Sequence, residues 1–237
     1  MSTLQQIMRQ SRWQFILLAR ENVVLITIIV SAIYAAVIYV LRNSAAIDAV
    51  FILILISDPV VIGLLFAGLI LTSDRTSKVL SALVVTPMPT STYLLGIALP
   101  LSLLGAASAL VIAGAMGPIF AGSLIPFFFA AWLVSAQAVL LGQIVSSYTD
   151  EFMKFVLRTI PIFLISNVIW LKYFDILTWD FFSYIPFVSG LDLLLYTSLS
   201  DYPMFSITIA WIMNIVWIGI LFFFAIRIFE KKIKGSL

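Results

Sequence analysis

Residues 74–96, DRTSKVLSALVVTPMPTSTYLLG, separate two long apolar runs with a mixture of charge, a helical apolar stripe and two closely spaced prolines. From Asp74 onward Val79, Leu80, Leu83 and Val84 recur at helical spacing, while Asp74, Arg75, Ser77, Lys78 and Ser81 take the other face. Pro87 disfavours helix at Thr86, Pro89 repeats the stop, and Thr90 or Ser91 can cap the helix that follows. The spacing predicts an amphipathic helix, a rigid turn and a second helix. A connection that only had to return the chain to a membrane needs a few polar residues. A folded, stiff one points to something outside the membrane that docks on it.

The flanking sequence places this stretch in a membrane protein. Of 237 residues 63% are hydrophobic and 10% charged, with a mean hydropathy of +1.17, far from the balance of soluble domains. Histidine and cysteine are both absent, which removes imidazole bases, thiolate nucleophiles, disulfides and the commonest metal ligands. No metal site is expected. A net charge of +2 is too small to argue for nucleic acid.

A bilayer core of about 30 Å needs roughly 20 apolar helical residues. Six runs qualify: 23–41, 49–72, 92–117, 124–146, 156–172 and 204–226. The expected fold is therefore an all-α integral membrane domain over 1–237, with both termini on one side. Placing the termini in the cytoplasm puts Arg9, Arg12, Arg20, Arg75, Lys78, Lys154, Arg158, Arg227, Lys231, Lys232 and Lys234 inside, with only Arg42 and Lys172 outside. The positive-inside rule selects that orientation, and residues 74–91 become a cytoplasmic loop. Residues 1–20 place Leu4, Ile7, Met8, Phe15 and Leu18 among basic residues, the pattern of an amphipathic interfacial helix with Trp13 at headgroup level. Residues 173–203 are acidic, too broken by Pro186 and Gly190 to span and too apolar to float, so short re-entrant helices in the outer leaflet are expected.

This pattern resembles the permease subunits of type 2 ATP-binding-cassette (ABC) exporters. Their second span is followed by an acidic-basic start, a short helix ending in a Leu-rich "TP" turn and a restart of the form "YLLGK"; here Asp74 stands where Glu is common and Ile97 where a basic residue follows. The segment YIPFVSGLDLLLY, residues 184–196, is similar to the one leading into the last span of those permeases. Within the family the chain looks most like the small permeases of fluoroquinolone export, partly through SDPVVIG at 57–63. The resemblance implies a subunit of a bacterial cytoplasmic membrane, paired with a second permease as homodimer or heterodimer. Two copies of a separate ABC ATPase would supply ATP and Mg. It also implies that Asp74, Arg75, Lys78, Val84, Thr86 and Pro87 contact that ATPase, with an amphiphilic drug, lipid or peptide as cargo. The chain contains no G-x-x-x-x-G-K-[ST] loop, so it does not itself cradle ATP phosphates in the usual way.

Two further sites stand out. Asp150, Glu151, Lys154 and Arg158 form a mixed-charge loop that is either a second ATPase contact or a solvated connection. Asp58 lies inside the second apolar run, where a carboxylate costs roughly 2.5–3.5 kcal/mol on insertion scales. Followed by Pro59, it either caps a helix break or handles substrate or protons. The latter role would make the chain a proton-coupled secondary transporter acting alone. An enzyme reading has only unsupported Ser and Asp nucleophiles to draw on.

Overall fold

The computed structural model describes residues 3–44, 47–80, 88–117, 120, 122–166, 171, 184–185, 188–198 and 207–232. Among these, all regular structure is helical: α1 (Thr3–Arg20), α2 (Val23–Leu41), α3 (Ile47–Val60), a π-helical turn (Val61–Leu65), α4 (Phe66–Thr76), α5 (Thr90–Met116), α6 (Leu124–Ser146), α7 (Phe152–Ser166), α8 (Val188–Ser198) and α9 (Ile207–Lys232). Four of them, α2, α5, α6 and α9, are long and apolar enough to cross a membrane. This is a multi-pass membrane protein.

Helices α5 and α6 form the centre. Their most apolar stretches are 61% and 50% buried, against 22% for α2 and α9, which therefore lie at the rim. The two run antiparallel, since Gln143 Nε2 donates to the Leu94 carbonyl while Gly105 faces Ser135. Small residues set the spacing. A Cβ on Gly105 would fall 1.9 Å from Ser135 Oγ, and one on Gly142 would fall 2.5 Å from the Leu64 carbonyl oxygen. Backbone therefore meets backbone where α6 crosses the π-helical turn.

That turn has a local cause. Pro59 has no N–H to give the carbonyl one turn back, and the helix widens just beyond it over Val61–Leu65. The helical path nonetheless continues from Ile47 to Thr76, which corrects the idea that Asp58 caps a break: it sits within α3 with helix on both sides. Asp74 and Arg75 likewise belong to the last turn of α4 and do not begin a separate loop helix. Ser77 closes α4, Lys78 follows in the left-handed region at φ 58°, and helix resumes at Val79 and Leu80. The next helix starts after Pro89 without a side-chain cap, so neither Thr90 nor Ser91 plays the capping part.

Between α1 and α2 the chain turns at Asn22, whose left-handed backbone (φ 61°) an asparagine tolerates. Helix α1 lies along α5, with Gln10 against Gly96 and Leu18 buried, while Leu4, Met8, Trp13 and Phe15 are exposed. Helix α8 is almost wholly buried against α6 and α9. Its close approach depends on Gly190, where a Cβ would meet Asn214 Oδ1 at 2.9 Å.

Candidate functional site

At the end of the bundle that carries Asp74, polar side chains join α4, α5, α6, α7 and α9. Tyr93 donates its phenolic proton to Asp74 Oδ2 at 2.5 Å, tying the start of α5 to the end of α4. Burial pushes the Asp74 carboxyl above its ordinary value of 3.8, and the Tyr93 hydrogen bond partly opposes that rise. Thr90 donates to Glu230 Oε1 at 3.0 Å, which brings the end of α9 to the same place.

Arg75 reaches the turn after α6. It donates to the Thr149 carbonyl at 2.5 Å, more distantly to the Ser147 carbonyl at 3.4 Å, and pairs with the Asp150 carboxylate. Arg158, from α7, donates to the Tyr148 carbonyl at 2.5 Å. Each carbonyl from 147 to 149 thus accepts from an arginine on a neighbouring helix. A helix C-terminus leaves carbonyls without intrahelical partners, and cations there are favourable. The start of the first stretch singled out in the sequence, 74–91, is in this way fastened to the second, 146–158.

The structure ties Asp74 to Tyr93 and brings Arg75, Asp150 and Arg158 onto one turn, where both arginines donate to the chain's own backbone. Lys78 is exposed, as are Lys154 and Glu151, which pair with each other at 2.9 Å. Val84, Thr86 and Pro87 lie outside the described residues. Sequence reasoning missed Tyr93, Thr90, Glu230 and the 147–149 carbonyls. The signal available for Tyr93 was its position one helical turn inside a restart whose preceding loop carries the carboxylate.

A second polar site is enclosed between α2, α3 and α5. Asp58 is 3% exposed, and among the described residues no cation pairs with it. Its Oδ2 lies 2.5 Å from Ser108 Oγ, which is itself 2.5 Å from Ser31 Oγ; Ser31 Oγ is 2.7 Å from the Thr27 carbonyl oxygen. The sequence marked Asp58 but offered no partner, because Ser31 and Ser108 are ordinary small residues in apolar helices. A third polar cluster joins α6, α8 and α9: Gln137 Nε2 donates to Asn214 Oδ1 at 2.6 Å, and Asn214 Nδ2 donates to the Ala210 carbonyl at 2.8 Å and the Ser189 carbonyl of α8 at 3.3 Å. It holds the short α8 in place.

Facing outward between α5, α6 and α9 is an apolar crevice of about 290 Å³, lined by Leu95, Leu99, Trp132, Ile215, Ile218 and Phe222 among others. Its polar feature is the Trp132 indole N–H donating to Ser102 Oγ at 2.9 Å. Such a surface takes apolar chains, not ions. No protein-family model matches this chain, and no curated protein does either.

Proposed function

We propose that the chain is the transmembrane subunit of an ATP-driven ABC exporter, working as a pair of permease subunits with two copies of a separate ATPase. The observation that carries this reading is the Arg75 clasp. It fastens the end of α4, which Asp74 ties to α5, to the turn between α6 and α7, so a push there moves several helices together. A slack, solvated loop could not transmit force in that way. Six spans are included in the reading: the four long helices, the apolar 49–72 within the continuous path from Ile47 to Thr76, whose end at Asp74 and Arg75 stands outside the membrane, and the run that begins with α7. Both termini then face the cytoplasm, α1 lies in the headgroup layer through Trp13 and Phe15, and α8 is re-entrant from the outer side. The apolar crevice suits an amphiphilic cargo such as a drug, lipid or peptide.

Arg75 and Arg158 donate to the chain's own backbone, so in this reading the exposed Lys78 and the exposed pair Glu151 and Lys154 are the charges through which a partner is tested, beside the candidate contacts already named. The test is purification of the tagged full chain from its own host in mild detergent, with and without Lys78→Glu plus Lys154→Glu. A P-loop ATPase that accompanies the native chain and is lost with the charge reversals supports the reading. If no ATPase accompanies the native chain, the reading fails. A proton-coupled secondary transporter is the second reading, favoured by the burial of Asp58 without a cation. It requires transport by the chain alone.

A further inference from the structure

The contacts around Asp58 contain a hydrogen count that does not close with an ionised carboxylate. Three oxygen–oxygen contacts run in series, Asp58 Oδ2 to Ser108 Oγ, Ser108 Oγ to Ser31 Oγ, and Ser31 Oγ to the Thr27 carbonyl. Each needs one hydrogen between its oxygens. The Thr27 carbonyl brings none, and the two serine hydroxyls bring one each. If Ser31 gives its hydrogen to Thr27, Ser108 must give its own to Ser31. The contact between Ser108 and Asp58 is then left with two lone pairs facing each other at 2.5 Å. If Ser108 instead donates to Asp58, the shortage moves to the Thr27 end.

We propose that Asp58 is a proton-binding site, loaded in this conformation, in which the carboxylic acid donates to Ser108, Ser108 to Ser31, and Ser31 to the Thr27 carbonyl. The balance is simple: the carboxylate takes one proton from water and returns one, and no other bond changes. The surroundings agree. Helices α2, α5 and α6 carry no Lys or Arg. Their titratable groups are Tyr34 and Tyr39 on α2 and Tyr93 on α5, the last bonded to Asp74; α6 and the π-helical turn have none. On α3 itself the other acid is Asp48, roughly 15 Å along the helix. Among the described residues no group here neutralises a carboxylate, whereas a proton does so and completes the chain of hydroxyls that joins three helices. Losing it leaves one link short and weakens the α2–α5 contact. The site stands whether or not an ATPase drives the chain.

Infrared spectra of the full chain in lipid nanodiscs at neutral pH test the proposal. Expected is a protonated-carboxyl C=O band that moves down in D2O, persists in Asp192→Asn, disappears in Asp58→Asn and moves up in Ser108→Ala, where the acid has lost its acceptor. Absence of the band from the native chain, or its survival in Asp58→Asn, overturns the proposal. So does a band that emerges only when sodium and potassium are replaced by choline, since a bound cation would then be the occupant. Should Asp58→Asn not fold, Ser108→Ala makes the same assignment by removing a single oxygen, and an unmoved band there is equally fatal.

Discussion

The clasped end of the bundle and its enclosed middle solve the problem of buried polarity in opposite ways. At the end, arginines meet backbone carbonyls and a carboxylate, and Arg75 holds three partners, so no single one of its contacts is indispensable. In the middle, one carboxyl, two hydroxyls and a carbonyl form a line in which each member depends on the next. The first arrangement tolerates loss and resists bending. The second is sensitive to a single hydrogen. Substitutions can break or sharpen that contrast, beginning where the packing leaves least room.

The largest effect is expected at Gly142. A Cβ there would lie 2.5 Å from the Leu64 carbonyl oxygen and 3.0 Å from Ala67 Cβ, so backbone has to move. Gly142→Val should destabilise the fold by about 3 kcal/mol, measured by unfolding in detergent. A loss below about 1 kcal/mol would mean that α6 and the π-helical turn are not in the contact described.

Next come the serines of the enclosed line, which should be unequal. Ser108→Ala leaves a buried carboxyl with no partner and should cost about 1–3 kcal/mol. Ser31→Ala leaves Ser108 still able to bond Asp58 and should cost about 1 kcal/mol or less. Equal losses would show that the series has no direction. Replacing Arg75 should fall in the same range by a different route: Arg75→Ala removes charge-assisted bonds to the 147–150 turn and costs about 2 kcal/mol. Arg75→Lys should not restore it, because a single ammonium cannot span the Thr149 and Ser147 carbonyls and the Asp150 carboxylate together.

Asp74 supplies a pH dependence. Its carboxyl is raised by burial, so the folded chain holds that proton more tightly than the unfolded chain does. Its contribution to stability is fully present below pH 3.8 and is lost as pH rises through the higher folded value. The native chain should therefore gain stability relative to Asp74→Asn as pH falls from neutrality towards 3.8, seen in paired melting curves. A difference that stays constant across that range would place Asp74 in water.

Much of the architecture was legible because it rests on periodicity and composition. The apolar runs at 23–41, 92–117 and 124–146 became α2, α5 and α6 within two residues at each end, since a bilayer-length apolar stretch has few alternatives. The boundary at Asp74 was not legible. An acidic-basic pair after an apolar run looks like the start of a loop, yet the helix runs on to Thr76 because Tyr93 and the 147–150 turn give those charges partners. Asp58 was visible as an anomaly, but the Asp-Pro pair also fits a helix cap. Only tertiary packing distinguishes the two, by setting Ser108, 50 residues away, against the carboxyl.

The smallest effect is expected at Asp150, and it separates two accounts of the clasp. The Asp150 side chain is 84% exposed while that of Arg75 is 22% exposed, so the ion pair sits at the rim with the guanidinium anchored deeper. Exposed pairs contribute little, because water screens them and two side chains must be held still. Asp150→Ala should change stability by under about 0.5 kcal/mol, and raising the salt should do as little. The carbonyls, which salt does not neutralise, would then carry the contact. If Asp150→Ala instead matched Arg75→Ala, and salt reproduced both, the two loops would be held by charge alone. The joined end of the bundle would then loosen under the same conditions that leave the line at Asp58 untouched.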